Sequence, residues 1–368
     1  MMQLLRLLGV EVDWLSPNVL RVDASHLLSH TAPYELVSKM RASVYIMGPL
    51  LARLSRAKVA LPGGCSFGPR PVNFHIEGLR RMGVEIETVH GEMCAHTKGL
   101  VGMEMELPVR SVGATAHLMM AAALAKGETV ILNASMEPEV IAVAEFLNRA
   151  GARITGVETG VVKIKGVKQL GSPGEFTNIP DRIETGTIAA AAIATRGQVI
   201  IEDTDPEAAR PVLAKFKETG ATIEISGDRV KVVAPSRPRP VDVITAPHPG
   251  FPTDMQANMM AVLATGAGVS TITETIYPDR FKHAAEMNRL GAHITVEAGG
   301  RAVVRGVEQL TGAPIQGTDL RATAALAVAG MSAEGETLLT GISHLERGYE
   351  DFVGKMQSLG ADIRAIED

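Results

Sequence analysis

The chain has 368 residues, 46% hydrophobic and 4% aromatic, and its 41 acidic and 36 basic residues leave a net charge of −5. That length is too great for one small core and predicts two lobes, while the charge excludes a global field that would draw nucleic acid or an anionic membrane, so an anionic ligand needs locally gathered arginines. Two cysteines without regular spacing exclude a disulfide framework and a structural zinc site, and no apolar run reaches the roughly 18 to 20 residues that span a bilayer.

Met1 to Gly9 carries neither a basic leader nor a cleavage site and reads as a helix end, while the sparse cysteines suit a reducing cytoplasm. The phrase begun there, Leu-x-x-x-Gly-Ala-x-Ile, recurs as Leu5 to Val12, Leu79 to Ile86, Leu147 to Ile154, Phe216 to Ile223, Met287 to Ile294 and Met356 to Ile363. A helix stopped by a left-handed glycine and followed by an alternating strand explains it. A second phrase, a polar turn, an alanine-rich helix and a short strand, occupies Arg41 to Leu61, Ser111 to Leu132, Arg182 to Ile201, Thr253 to Ile272 and Asp319 to Leu339. Repeated units of mixed α/β architecture, three per lobe, are the expected fold, with the lobes at 1–178 and 179–368. Five copies of the second phrase against six of the first predict that a half-unit of about 45 to 50 residues is missing ahead of Met1, unless the first repeat has diverged into a cap.

Lys58 to Leu61 reads as a strand and Val72 to Met82 as a helix, so Pro62-Gly63-Gly64-Cys65-Ser66-Phe67-Gly68-Pro69-Arg70-Pro71 is a strand-to-helix turn. Its glycines permit close approach to a ligand and the helix start behind it favours an anion, which makes Cys65 the leading candidate for chemistry. An ordinary turn holding a small buried thiol is the plainer alternative. Arg41, Asp254 and Arg321 fall at the starts of alanine-rich helices. Arginine there opposes the helix dipole, which hints at anion binding, whereas Asp254, Asp181 and Asp319 also suit helix capping. Arg347, in Leu345-Glu346-Arg347-Gly348-Tyr349-Glu350, also suits a surface ion pair.

Other chemistries fit less well. The Cys65 loop lacks the Gly-Lys-Ser/Thr ending of a phosphate-binding loop, the ten histidines are scattered, and so few aromatics build no stacking platform for single strands. A Cys65 pair with His75 or His248 stays open on spacing alone.

The loop at 62–75, Ala-Pro-His-Pro-Gly-Phe-Pro-Thr-Asp-Met-Gln at 246–256, Pro-Asp-Arg-Ile-Glu-Thr-Gly-Thr at 180–187, Thr318 to Ala322 and Arg347 to Glu350 together resemble the bacterial UDP-N-acetylglucosamine enolpyruvyl transferases along essentially the whole chain. The resemblance implies two lobes of βαβαββ-type units forming inside-out α/β barrels, with helix starts facing an interlobe cleft. It implies transfer of the enolpyruvyl group of phosphoenolpyruvate to the sugar 3′-hydroxyl with release of phosphate, the first committed step of peptidoglycan synthesis, without cofactor or metal. No nucleic-acid, membrane or protein partner is implied. Cys65 would be the acid that protonates the methylene carbon, and the thiol that fosfomycin alkylates; Asp254 would be the base. Arg70, Arg321 and Arg347 would hold phosphoenolpyruvate. Arg41, Arg70, Pro71, Val72, Asn73, Phe74, Ser111, Val112, Gly113, Asp254 and Ile276 would contact the sugar nucleotide. The family's Lys-Asn pair falls in the missing half-unit, which implies little turnover by the polypeptide as written. The rivals are a non-catalytic sugar-nucleotide binding paralogue or inactive fragment, and the related shikimate-pathway enolpyruvyl transferase, which does not use the Cys65 loop.

Overall fold

The computed structural model describes residues 1–37, 40–61 and 72–366, with the backbone alone at Arg41. Two units follow one another in the chain, Met1–Asn178 and Ile179–Asp368.

One element order generates both. In the first unit the strand Thr31–Ala32 leads to the helix Met47–Leu54, the strand Arg56–Ala60, the helix Asn73–Arg81 and the hairpin Val84–Val89 with Glu92–Thr97. The sheet runs first strand, second, fourth, third: Thr31 and Ala32 lie parallel to Lys58 and Val59, and Val59 pairs antiparallel with Met93. Glu104–Glu106, Glu128–Leu132, Val161–Lys165 and Ile154–Thr155 repeat that order around the helices Val112–Ala122 and Pro138–Arg149. In the second unit Val243–Ile244, Val269–Thr273, Arg301–Arg305 and His293–Glu297 do so around Gln256–Ala264 and Lys282–Arg289. The parallel pair needs a helical crossover, whereas the antiparallel pair closes through a tight turn such as Glu297 to Arg301. Shorter copies are the helix Met2–Leu7 with the hairpin Glu11–Ser16 and Val19–Asp23, the run from Arg182–Ala194 to Arg229–Val233, and the run from Pro314–Gln316 to Phe352–Ser358.

The closing phrase behaves as its sequence predicts. Gly9, Gly83, Gly151, Gly220, Gly291 and Gly360 take φ values of +96, +85, +98, +97, +85 and +94°, the left-handed region that only glycine enters cheaply. The residue after the phrase's first apolar position adds a clamp. Arg6, Arg80, Asn148, Asn288 and Gln357 donate to the carbonyls of Val12, Ile86, Ile154, Ile294 and Ile363, each six residues on. Asn148 and Asn288 also accept from the amides of Ile154 and Ile294, at 2.9 Å in both cases, so each amide side chain welds helix to strand twice.

The alanine-rich helices lie innermost. All nine residues of Gln256–Ala264 are buried, and this helix packs on Arg182–Ala194 and Leu320–Met331, which pack on each other. Alanine lets helix axes approach closely without leaving voids. The second helix of each copy is amphipathic instead: Pro206–Glu218 buries Ala208, Ala209, Val212, Leu213 and Phe216. Strands such as His293–Glu297, with only Ile294 buried, turn their other face to water. Helices are thus central and sheets peripheral. Among the described residues no helix is long and apolar enough to cross a membrane.

Candidate active site

In the second unit the inner helices begin where polar residues collect. Pro252 holds an extended backbone, Thr253–Met255 makes a single 3₁₀ turn, and Gln256–Ala264 continues from it, which leaves the Asp254 side chain at the helix entrance, 37% exposed. Asp319 caps the neighbouring helix by accepting from the amides of Arg321 and Ala322, so Arg321 projects from its first turn. Asp181 caps Arg182–Ala194 in the same way.

Asp254 lies between two guanidinium groups. Arg280 Nη1 stands 2.7 Å from Oδ1, and Arg321 stands 3.1 Å from Oδ2 through Nη2 and 3.2 Å through Nε. Burial alone would raise the carboxyl pKa, but the charges of Arg321 and then Arg280 override it and hold the group well below the usual carboxylate range. Arg321 is desolvated too, yet Asp254 raises its pKa further.

Behind Arg321 a polar chain runs into the core. Arg321 Nη1 donates to the Tyr349 hydroxyl at 3.3 Å, and that hydroxyl meets Thr187 Oγ1 at 2.9 Å. Thr187 spends its own proton on the Ile183 carbonyl and accepts from Asn258 Nδ2. The Tyr349 proton therefore goes to Thr187, which leaves the phenol oxygen as acceptor for Arg321. Burial raises the Tyr349 pKa and Arg321 opposes that rise. On the other flank burial and the adjacent Arg280 hold His283 neutral, with its pKa down at about 3.

The first unit places Ser111 as the cap of Val112–Ala122, accepting from the Ala114 amide at 3.3 Å. A Cβ on Gly113 would lie 2.6 Å from the Tyr45 hydroxyl, so this position needs glycine for close approach. Val72 is the N-cap of Asn73–Arg81, and Asn73 and Phe74 form its first turn. Third in that helix, His75 faces His117 Nδ1 through its own Nδ1 at 2.9 Å, and His117 Nε2 accepts from the Gly48 amide at 2.8 Å. Burial first, and the neighbouring His75 second, hold the His117 pKa far below its ordinary value. A neutral His117 that accepts at Nε2 carries its proton on Nδ1 and gives it to His75. Tyr45 stacks against both rings.

The predicted residues are thus brought together in part. Asp254 and Arg321 share an ion pair. Ile276 enters through its amide, 2.8 Å from Glu274 Oε1. Arg347 ends the 3₁₀ segment Ile342–Arg347, exposed and without an ion pair to a described residue. Cys65, Arg70, Pro71 and the Arg41 side chain lie outside the described residues. Sequence reasoning missed Arg280, Thr253 and Glu274 as members of the cluster. Arg280 stands 26 residues beyond Asp254 in a segment without helical or strand periodicity, and only a polar residue next to a candidate base could have marked Thr253.

A family model described as EPSP synthase (3-phosphoshikimate 1-carboxyvinyltransferase) matches residues 1–356. UDP-N-acetylglucosamine 1-carboxyvinyltransferase of Thermotoga maritima is 46% identical over 370 residues, spanning 100% of this chain and 87% of that protein. The protein of the same name from Halorhodospira halophila is 48% identical over 367 residues, with 100% and 87% covered. Among solved structures, the enolpyruvyl transferase NikO from Streptomyces tendae superposes with a TM-score of 0.88 at 25% identity, over 98% of this chain and 86% of that one. EPSP synthase from Acinetobacter baumannii has a TM-score of 0.68 at 19% identity, over 98% and 86%, which is a likeness of fold.

Proposed function

The chain belongs to the UDP-N-acetylglucosamine 1-carboxyvinyltransferase family, and from that we propose that it transfers the enolpyruvyl group of phosphoenolpyruvate to the 3′-hydroxyl of UDP-N-acetylglucosamine, releasing phosphate, as the first step of peptidoglycan synthesis. The observation that carries the site assignment is the Asp254 carboxylate held between Arg280 and Arg321. Asp254 removes the hydroxyl proton, the oxygen adds to C2 of phosphoenolpyruvate, and the Cys65 thiol protonates C3. Loss of a C3 proton and cleavage of the C2–O bond to phosphate then complete the transfer.

A carboxylate paired twice with arginine is a weak base. Substrate supplies the remedy in this reading: phosphoenolpyruvate offers carboxylate and phosphate groups that compete for the Arg321 fork, with Arg70 and Arg347 as further holders. Arginine drawn toward substrate no longer stabilises ionised Asp254, so the proton affinity of Asp254 rises when it is needed. Arg41, Arg70 to Phe74, Ser111 to Gly113 and Ile276 complete the sugar-nucleotide contacts, and each unit is read as an inside-out barrel.

Enzyme at concentrations stoichiometric with substrate makes even slow conversion visible. Phosphate release that requires both UDP-N-acetylglucosamine and phosphoenolpyruvate, with the enolpyruvyl sugar nucleotide seen by mass, is the expected result. Release with 3-phosphoshikimate as acceptor would assign the shikimate-type reaction instead. Sugar-nucleotide binding with neither phosphate release nor an adduct on Cys65 would assign a binding protein.

A further inference from the structure

Glu274 follows the strand Val269–Thr273 and is 1% exposed, yet among the described residues it makes no ion pair. Four donors converge on its carboxylate. Thr245 Oγ1 and the amides of Ile276 and Tyr277 reach Oε1 at 2.8, 2.8 and 3.0 Å, and Thr253 Oγ1 reaches Oε2 at 2.9 Å. The same Thr253 oxygen accepts from Arg280 Nη1 at 3.0 Å, and that nitrogen also donates to Asp254 Oδ1 at 2.7 Å.

We infer that Glu274 is a positioning residue which, through the Thr253 hydroxyl, fixes the Arg280 guanidinium against Asp254 and at the same time sets the Ile276–Tyr277 backbone. The inference rests on the reading of Asp254 as the base. Buried carboxylates are costly unless every acceptor site is used. Here all partners are donors, so the position demands a group that only accepts. Accepting the Thr253 proton turns the hydroxyl lone pairs toward Arg280. Glutamine has nearly the same shape but presents an NH₂ group to one side. If that group faces Thr253, the hydroxyl must accept from both neighbours and its own proton loses its partner; if it faces the other way, two backbone amides lose theirs. Either arrangement loosens Arg280 or the Ile276 turn.

Three variants test this: Glu274→Gln, Thr253→Val, which keeps shape but loses the hydroxyl, and Thr253→Ser, which restores it. Guanidinium ¹⁵N NMR, with Arg280 assigned through Arg280→Lys, reads the positioning directly. Resolved, slowly rotating Nη signals are expected in wild type and Thr253→Ser, and averaged signals in Glu274→Gln and Thr253→Val. Phosphate-release kinetics should show kcat/KM lower by about 10- to 100-fold in the latter two, mostly in kcat for Thr253→Val. Thr253→Ser should be close to wild type. Should Glu274→Gln fail to fold, Thr253→Val against Thr253→Ser decides. Arg280 signals unchanged in folded Thr253→Val overturn the inference. NMR changes as expected in a protein that releases no phosphate would instead sink the transferase reading and leave the positioning intact.

Discussion

In the proposed reaction Asp254 is the residue on which charge and chemistry meet. Its pKa is depressed on folding, so its ion pairs contribute stability that is fully present above the ordinary carboxylate range near pH 4 and fades as the pH falls toward the folded value. Asp254→Asn keeps the shape but leaves Arg280 and Arg321 facing a neutral amide. The variant should be less stable than wild type at pH 7, with the gap narrowing below about pH 4, which urea titrations at several pH values measure. It should also lose about 10²- to 10⁴-fold in kcat, since an amide cannot take the hydroxyl proton; near-normal turnover would remove Asp254 from the role of base. Cys65 makes a separate case. In the proposed function Cys65 is the reactive thiol, so fosfomycin should add one equivalent there by intact mass, and Cys65→Asp should abolish the addition. Labelling on Cys94 would contradict the assignment. That Asp254 and Arg321 meet in one polar cluster was legible because each sits at a helix start with a chemical reason, whereas Cys65 lies outside the described residues. Arg280 and Glu274 were not legible, because their meaning comes from contacts made 20 or more residues away in the chain, which no spacing rule encodes.

At the scale of the element, the glycine of the closing phrase was readable and the clamp beside it was not. Glycine at each copy answers one backbone requirement, whereas the clamp position holds Arg6, Arg80, Asn148, Lys217, Asn288 and Gln357, alike only in carrying a side-chain donor. Asn288→Ala removes two hydrogen bonds to Ile294 and should cost about 1 to 3 kcal/mol, visible as a lower urea midpoint at unchanged slope. Two glycine variants separate backbone strain from crowding. Gly151→Ala meets no atom within 4 Å but must hold φ near +98°, and should cost about 1 kcal/mol through strain alone. Gly78→Ala has ordinary backbone but drives a methyl group into Leu118, and should cost about 1 to 3 kcal/mol by overpacking. Pairing each with Leu118→Ala distinguishes them: the smaller neighbour should relieve Gly78→Ala and leave the Gly151→Ala cost unchanged.

At the scale of the molecule, the repeat made the α/β units legible in the sequence, because copies of one phrase force copies of one sheet. Burial of the alanine-rich helices was legible too, since runs without a polar stripe, too short to span a bilayer, suit helices buried all round, as Gln256–Ala264 is on every face. Each unit nevertheless owns its core. One cluster draws on residues from Leu4 to Ile164 and includes Leu118 and Met119; the other runs from Ile183 to Met356 and includes Phe216 and Met260. A cavity should therefore be felt first by the unit that loses the packing. Phe216 is fully buried against the second core, and Phe216→Ala removes a ring at a cost of about 3 to 5 kcal/mol. Amide hydrogen exchange read by mass spectrometry should quicken across peptides of 179–366 while those of 1–178 keep their protection. Leu118→Ala should give the reverse pattern. Equal acceleration of both units by either variant would mean that the two cores open as one cooperative body, and the division of the chain at Asn178 would then have no energetic counterpart.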